Sequence, residues 1–276
     1  MYDPYKKFIQ NRLPIIDKEQ QEVPFILNAI QNSFIEQASG KDIILKARQQ
    51  GFSSLILAIF AVDFLMRPNT QSVVVADNSD NAIVLLERVK YFLRRYCELK
   101  GLDFDDKKQG LLRYNSKYQL ANRFNNATYT IGTAQKHDFG RSRTLTNLHL
   151  SEAAFYPNLP KLLAGAGSAL VPNGRLIIET TANGFNQFKT LWDDATLGNS
   201  AYKPLFFKAS DFYSPEFLAS EKKRLGRLFV QEYPETPEEA FLTSGETFFA
   251  KEALQWYLSQ AREPLGTGVV ENALLQ

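Results

Sequence analysis

The stretch KARQQGFSS, from Lys46 to Ser54, contains most of the residue types of a phosphate-binding loop. In the usual loop, G-x-x-x-x-G-K-[ST], backbone N–H groups surround the phosphates and the Lys contacts the β- and γ-phosphates. Gly51 and Ser53 have the expected spacing, but Phe52 replaces the Lys and Lys46 replaces the first Gly. Because a long lysine side chain can reach phosphate from either end, the loop fits a variant nucleotide site. It also fits a plain strand-to-helix turn.

Two later motifs carry polar groups that a triphosphate site requires. Such a site needs a hydroxyl and a carboxylate for Mg²⁺, and a carboxylate that orients water. Ser53 offers the hydroxyl, and the apolar segment NLHLSE ends in Ser151 and Glu152. The segment ETTANG, residues 179–184, adds two hydroxyls and an amide after another apolar run.

Apolar runs alternating with amphipathic stretches predict a mostly parallel sheet covered by helices on both faces. Ligands bind at the carboxyl ends of the strands in such sheets, which is where all three motifs fall. The predicted strands are Asp42–Leu45, Ser72–Ala76, Asn147–Leu150, Arg175–Ile178 and Pro204–Lys208. The predicted helices are Ser53–Met66, Asn78–Leu99, about Asn158–Leu170 and Phe185–Ala195, with an antiparallel pair in Tyr118–Thr133 that turns at Asn125-Asn126.

The composition of the chain excludes several classes of protein. The chain has 276 residues, a formal net charge of +2 and one cysteine, Cys97. A single thiol excludes an intrachain disulfide framework and a multi-cysteine metal site, and it suits a reducing cytosol. With so small a net charge, any nucleic-acid binding must come from local basic patches. No apolar run approaches the length of a membrane span, so we expect no membrane association.

Taken together, KARQQGFSS, LHLSEAAF, ETTANG and EYPETPEEAF, in this order, resemble the ATPase region of the large terminase subunit of tailed double-stranded DNA phages. The resemblance covers roughly Phe25 to Phe249. It implies a P-loop NTPase of the additional-strand, RecA-like class, with a mostly parallel central sheet flanked by helices and a small helical lid or linker subdomain. We expect the ATPase core at 1–210 and the lid or linker at 211–276.

The resemblance implies ATP and Mg²⁺ as cofactors. Lys46 becomes the substitute phosphate-binding lysine of this variant Walker A loop, and Arg48 a second phosphate contact. Gln31 occupies the place of a glutamine that reads the adenine edge, although it also fits an exposed residue on an N-terminal helix. The full expected ATP-binding set is Gln31, Lys46, Arg48, Gln49, Gln50, Gly51, Phe52, Ser53 and Ser54.

The resemblance also assigns the catalytic and metal residues. Glu152, in the Walker B position, would activate water. Ser53 and, indirectly, Ser151 would hold Mg²⁺; most members of the family carry Asp where this chain has Ser151, so its site lacks that charge. A helix N-cap at Ser151 is compatible with the same pattern.

Two further segments have implied roles. Thr180, Thr181, Asn183 and Gly184 match the motif that couples hydrolysis to motion, and Asn183-Gly184 could alternatively be a simple turn. In HDFGRSRT, residues 137–144, Arg141 would be the catalytic arginine finger that reaches a neighbouring subunit's nucleotide, with Arg143 as the alternative. The same segment could instead be a solvated loop or a DNA contact.

The function implied is ATP hydrolysis that drives translocation of viral DNA into a procapsid in the host cell cytoplasm. The implied partners are double-stranded DNA, the portal protein, the small terminase subunit and further copies of the chain in a ring. Family members carry a nuclease domain after the PEEAF segment, and the residues beyond Phe249 are too few for one, so we expect no nuclease activity. The alternatives are a helicase-like DNA-remodelling ATPase and a non-hydrolysing nucleotide-binding assembly module.

Overall fold

The protein is built around an eight-stranded mixed sheet. A computed structural model describes residues 2–135, 144–242 and 251–262. A separate two-stranded hairpin precedes the sheet in the chain and consists of β1, Pro14–Ile16, and β2, Glu22–Pro24. The strands of the large sheet are β3 Lys41–Lys46, β4 Gln71–Ala76, β5 Leu112–Asn115, β6 Gln119–Asn122, β7 Thr128–Thr133, β8 Leu145–Ser151, β9 Leu170–Thr180 and β10 Lys203–Phe207.

The order across the sheet is β10-β3-β9-β8-β4-β7-β6-β5. The first six strands in that order pair in parallel, and β7-β6 and β6-β5 pair antiparallel. The mostly parallel sheet predicted from the sequence is therefore confirmed. The antiparallel pair expected in Tyr118–Thr133 is present as β6 and β7.

Helices lie on both faces of this sheet. Those before β5 are α1 Asp3–Arg12, α2 Ala29–Gln37, α3 Phe52–Met66 and α4 Ser79–Lys100. Those after β8 are α5 Leu159–Leu162, α6 Gln187–Thr196, α7 Pro215–Leu225, α8 Phe229–Glu232 and α9 Pro237–Leu242.

The protein has one apolar core on each face of the sheet, because alternate residues of a strand point to opposite sides. In β3, Ile44 faces a core that includes α1 to α4, whereas Ile43 and Leu45 face a core that includes α5 and α6. Helix α3 has eleven buried residues among its fifteen. It follows the phosphate-loop motif directly and therefore anchors that loop in the first core.

Two boundaries differ from the sequence prediction. The helix expected over Asn158–Leu170 is a short α5 followed by a π-type turn, Leu163–Gly167, and β9 already begins at Leu170. Glycines 165 and 167 disfavour a longer α-helix because of their backbone freedom. Helix α1, the β1–β2 hairpin and strand β5 were not predicted.

The chain divides into two units, residues 1–244 and 245–276. The segment from 211 to 242 belongs to the first unit together with the sheet. Within the second unit, the described residues form helix α10, Lys251–Gln260. Across the described ranges, no helix combines the length and apolar character that a membrane crossing requires.

Candidate active site

The carboxyl ends of three adjacent parallel strands bring the predicted site residues together. Strand β9 lies between β3 and β8, so Glu179 of β9 lies between Lys46, the last residue of β3, and Ser151, the last residue of β8. Ser151 and Glu179 are direct partners in the ladder. The N-terminus of α3 follows the β3 loop, which places Ser53 at the same edge.

The loop between β3 and α3 turns sharply at Gly51. Gly51 has φ +82°, in the left-handed region that glycine adopts without steric cost, and it caps α3. Phe52, at the position where the usual loop has its Lys, is only 1% exposed and packs between Phe34 and Phe207. The side chain of Phe52 therefore serves the core, and only its backbone faces the predicted phosphate position.

Lys46 provides a buried positive charge at this edge. Its Nζ lies 3.1 Å from Glu152 Oε1 and 3.2 Å from Glu179 Oε2. Burial disfavours the ammonium form, but the two carboxylates outweigh it, so the pKa of Lys46 lies above its ordinary value. Lys46 is consequently a permanent cation at neutral pH.

Glu179 is the central residue that sequence reasoning missed. Its side chain is fully buried, and its Oε1 accepts hydrogen bonds from Ser53 Oγ at 2.7 Å and Ser151 Oγ at 2.8 Å, with His149 Nε2 at 3.3 Å. Burial alone raises the pKa of this carboxyl, but the charge of Lys46 and the hydrogen bonds to Oε1 outweigh it, so the pKa of Glu179 lies well below its usual range. The only sequence signal was a Glu at the end of the apolar run RLII.

Glu152 follows β8 and turns its carboxylate toward the end of β9. Its backbone is left-handed, with φ 57° and ψ 47°, a conformation that costs a non-glycine residue energy and that clusters at functional sites. Its Oε2 accepts from Thr181 N at 3.2 Å and from Thr180 Oγ1 at 3.4 Å. Ser151 ends the strand and gives its hydroxyl to Glu179, so it does not cap a helix.

The predicted coupling residues contact the segment that carries Glu152. Thr180 and Thr181 are buried, and Asn183 Nδ2 donates to Ala154 O at 3.3 Å. Gly184 has φ +67° but Asn183 does not have a positive φ, so the structure has a bend at Gly184 rather than the Asn-Gly turn. Thr180 and Thr181 therefore contact Glu152 itself, and Asn183 contacts the residues that follow it.

Gln31 is placed beside the loop with its amide already bonded. Its Nε2 donates to Gly51 O at 2.8 Å, and its Oε1 accepts from Asn28 N at 3.1 Å. The contact to Asn28 forms part of a capping box at the start of α2. The adenine contact predicted for Gln31 would have to use the remaining N–H and the remaining lone pair of the amide, or replace these bonds.

The remaining loop residues point toward the C-terminal segment. Arg48 is exposed and forms an ion pair with Glu232 at 3.5 Å, and its backbone N–H donates to Glu232 O. Tyr213 OH donates to Arg48 O at 2.7 Å, and Gln50 Nε2 donates to Lys208 O at 3.0 Å. Gln49 is exposed, with φ 56°. The loop thus contacts Lys208, Tyr213 and Glu232, which follow β10 in the chain.

A second cation, not identified from the sequence, lies on the other side of the loop. Arg88 of α4 donates from Nη1 to Ser54 Oγ at 3.0 Å. Burial lowers the pKa of Arg88, and the negative charge of Glu179 opposes that effect. Arg141 and Arg143, the predicted arginine fingers, lie outside the described residues.

The groups at this edge suit Mg²⁺ that is shared with phosphate. Mg²⁺ prefers oxygen ligands and is commonly held by one or two carboxylates plus substrate phosphates. Ser53, Ser151 and Glu179 bring two hydroxyls and a carboxylate together, and Glu179 Oε2 is buried with an ion-pair partner but no hydrogen bond. Within the described segments, no three His, Cys, Asp or Glu side chains form a protein-only metal site.

Comparison with known proteins gives matches at the level of structure. No family model and no curated protein matches this sequence. The large terminase ATPase domain of Thermus phage P74-26 is similar with a TM-score of 0.58 and 18% identity, over 75% of this chain and 92% of that one. The HK97 bacteriophage large terminase is similar with a TM-score of 0.64 and 16% identity, over 91% of this chain and 57% of that one.

A third similar structure is the large terminase of a thermophilic bacteriophage in complex with ADP. Its TM-score is 0.51 with 15% identity, over 72% of this chain and 50% of that one. The match therefore spans about half of this ADP-bound terminase and little more than half of the HK97 protein. The sheet order, the helical layers and these similarities agree: the chain has the fold seen in the large terminase ATPase domain of Thermus phage P74-26.

Proposed function

We propose that this protein is an ATPase that drives translocation of double-stranded viral DNA into a procapsid. The observation that carries the proposal is the meeting of Lys46, Ser53, Glu152 and Glu179 at the carboxyl edge of the sheet. A cation for phosphate, a hydroxyl for Mg²⁺ and a partly exposed carboxylate for water are the parts that phosphoryl transfer to water requires. The similar thermophilic phage terminase was solved in complex with ADP, which supports nucleotide binding by this fold.

In the proposed site, Lys46 and Arg48 hold phosphate oxygens, and the N-terminus of α3 adds its own affinity for anions. Ser53 and Ser151 would hold Mg²⁺, directly or through water, and the ion would supply charge neutralisation to the phosphates. Glu152 orients the attacking water and accepts its proton. With a side chain 35% exposed, Glu152 is reachable by water, whereas the carboxylate of Glu179 is not.

Coupling to motion would begin at Glu152. Its Oε2 bonds to Thr180 and Thr181, so any change at the carboxylate is passed to the segment 180–184. An arginine from a neighbouring subunit, Arg141 or alternatively Arg143, would complete the site in a ring of copies. The proposed setting is the host cell cytoplasm, with the portal protein and the small terminase subunit as partners.

The test is the ATP hydrolysis rate per subunit as protein concentration rises, with and without linear duplex DNA. We expect a rate that climbs with concentration and falls by about 10²–10⁴ in Glu152→Gln, the range that a general base contributes. Glu36→Gln, an exposed glutamate on α2, is the matched control and should retain the wild-type rate.

Three results would contradict the proposal in different ways. Strand displacement on a forked duplex would favour a helicase-like enzyme. ATP binding without turnover, at every concentration and with portal protein added, would favour a non-hydrolysing assembly module. Absence of ATP binding would mean that the loop is only a turn.

A further inference from the structure

Glu179 occupies a position that the proposed ATPase roles do not explain. It comes from β9, the strand between the phosphate-loop strand β3 and the strand β8 that carries Glu152. It is fully buried, so it cannot act as the water-activating base. Yet both hydroxyls expected at the Mg²⁺ site, those of Ser53 and Ser151, donate to its Oε1 at 2.7 and 2.8 Å.

The second observation is a charge imbalance. Within ion-pair distance, Lys46 contacts two carboxylates, Glu152 at 3.1 Å and Glu179 at 3.2 Å. This triad carries a formal charge of −1, and Arg88, whose charge interacts with Glu179, brings the group only to neutrality, so a polyphosphate still requires a further cation. Glu179 Oε2 also has no hydrogen bond although it is buried, and buried carboxylate oxygens without one are rare.

The third observation is the neighbour of Glu179 in the sheet. In P-loop NTPases the loop Ser or Thr and an Asp at the end of the Walker B strand hold Mg²⁺. Here that strand, β8, ends in Ser151, which brings no charge. Ser151 and Glu179 are ladder partners on adjacent parallel strands, so a longer acidic side chain on β9 reaches the place that a shorter one on β8 would fill.

We propose that Glu179 supplies the carboxylate of the Mg²⁺ site, displaced by one strand from its usual origin, with Ser53 and Ser151 as its hydroxyl partners. This inference rests on the proposed nucleotide site. It differs from a purely structural role, in which Glu179 serves only as the counterion of Lys46. If Glu179 were only the counterion of Lys46, its removal would change the stability of the fold but would not change the metal dependence of nucleotide binding.

The test measures Mn²⁺ bound to the full chain in the presence of ADP by electron paramagnetic resonance, and ADP affinity in Mg²⁺ and in EDTA. For Glu179→Gln we expect Mn²⁺ affinity to fall about 10- to 100-fold, as for loss of a group that supports a metal site. ADP affinity in EDTA should not weaken, because the variant removes a negative charge. The rescue is Ser151→Asp combined with Glu179→Thr, which moves the carboxylate back to β8 and should restore Mn²⁺ binding.

Glu179→Gln leaves Lys46 with fewer partners, so its fold is checked by circular dichroism. If Glu179→Gln does not fold, Glu179→Asp is tested in its place. The Asp variant keeps the negative charge near Lys46, but its carboxylate is one methylene farther from the hydroxyls of Ser53 and Ser151. Wild-type Mn²⁺ affinity in either folded variant, or a folded double variant that fails to regain Mn²⁺, would overturn the inference alone. A wild-type protein that binds no ADP under any condition would overturn the proposed function itself.

Discussion

Lys46 Nζ lies 3.1 Å from Glu152 Oε1, so the lysine proposed to hold phosphate and the glutamate proposed to activate water form an ion pair. A phosphate oxygen that binds Lys46 must compete with Glu152 for the same ammonium. In the proposed mechanism, phosphate binding would therefore weaken the ion pair and free Oε1 of a carboxylate that water already reaches.

Replacement of Lys46 by Ala should destabilise the fold as well as the site. Glu179 would remain fully buried without its ion-pair partner, and breaking a buried pair in this way costs about 3–5 kcal/mol. Urea unfolding measures the loss. Lys41→Ala, an exposed lysine at the other end of β3, is the matched control. Equal losses in the two variants would contradict the buried ion pair, and Lys46→Met with Glu179→Gln should recover part of the loss.

Stability should decline in acid through Glu179. Its pKa is lower in the folded protein than in the unfolded chain, so the unfolded chain takes up the proton first as pH falls. The stabilisation is complete above the unfolded value of about 4.3 and is lost as pH falls through the folded value, at up to about 1.4 kcal/mol per pH unit. The free energy of unfolding, measured from neutral pH into acid, should therefore fall more steeply in wild type than in Glu179→Gln. Parallel curves would contradict the depressed pKa.

Placing a lysine at position 52, where the usual phosphate loop has one, should not create a working ATP site. Phe52→Lys places a charge among Phe34 and Phe207, and loss of a buried Phe alone costs about 3–5 kcal/mol. We expect a large drop in thermal stability, and no recovery of ATP binding when the change is added to Lys46→Ala. Phe52→Leu, which stays apolar, is the milder control. Recovery of binding in the double variant would show that position 52 can face the phosphates.

Gly51→Ala should impair nucleotide binding beyond its effect on stability. A left-handed backbone costs a residue with a side chain about 1–2 kcal/mol. A Cβ at Gly51 would also come within 2.8 Å of Gln31 Nε2 and displace that amide from the loop. Gly198→Ala is a matched control, since Gly198 has φ +76° and open space around it. Gly51→Ala should lose at least as much stability as Gly198→Ala, and only Gly51→Ala should lose ATP affinity in a fluorescence titration.

The sequence predicted the sheet strands well, because buried parallel strands are nearly continuous apolar runs. DIIL, SVVVA, NLHL, RLII and PLFFK all fall within or largely over observed strands. It predicted the meeting of Lys46, Ser151 and Glu152 for the same reason, since each follows or ends such a run. Helix α1 was missed because its polar stretch DPYKKFIQNR buries only Ile9.

Glu179 could not be identified from the sequence as a residue of the site, because the local sequence pattern does not determine the order of the strands in the sheet. Its importance comes from β9 lying between β3 and β8, a long-range arrangement that no spacing along the chain reveals. The burial of Phe52 could not be predicted either. An aromatic residue within a polar motif does not indicate which apolar core its side chain will enter. The roles of Gln31 and Arg48 remain predictions, since both side chains are bonded to neighbouring protein groups in the structure.

The helix that follows the phosphate loop and the C-terminal segment that contacts the loop differ in burial. Helix α3, on one side, is buried along most of its length, whereas α7 in the segment beyond β10 has no buried residue. Amide hydrogens in a buried helix exchange with solvent only when much of the fold opens, and those of a poorly buried helix exchange through local fraying. The loop is therefore attached at both ends to slowly exchanging elements, whereas α7 lies in a rapidly exchanging segment that contacts the loop through Tyr213 and Glu232. Any nucleotide-driven movement is expected first in that segment.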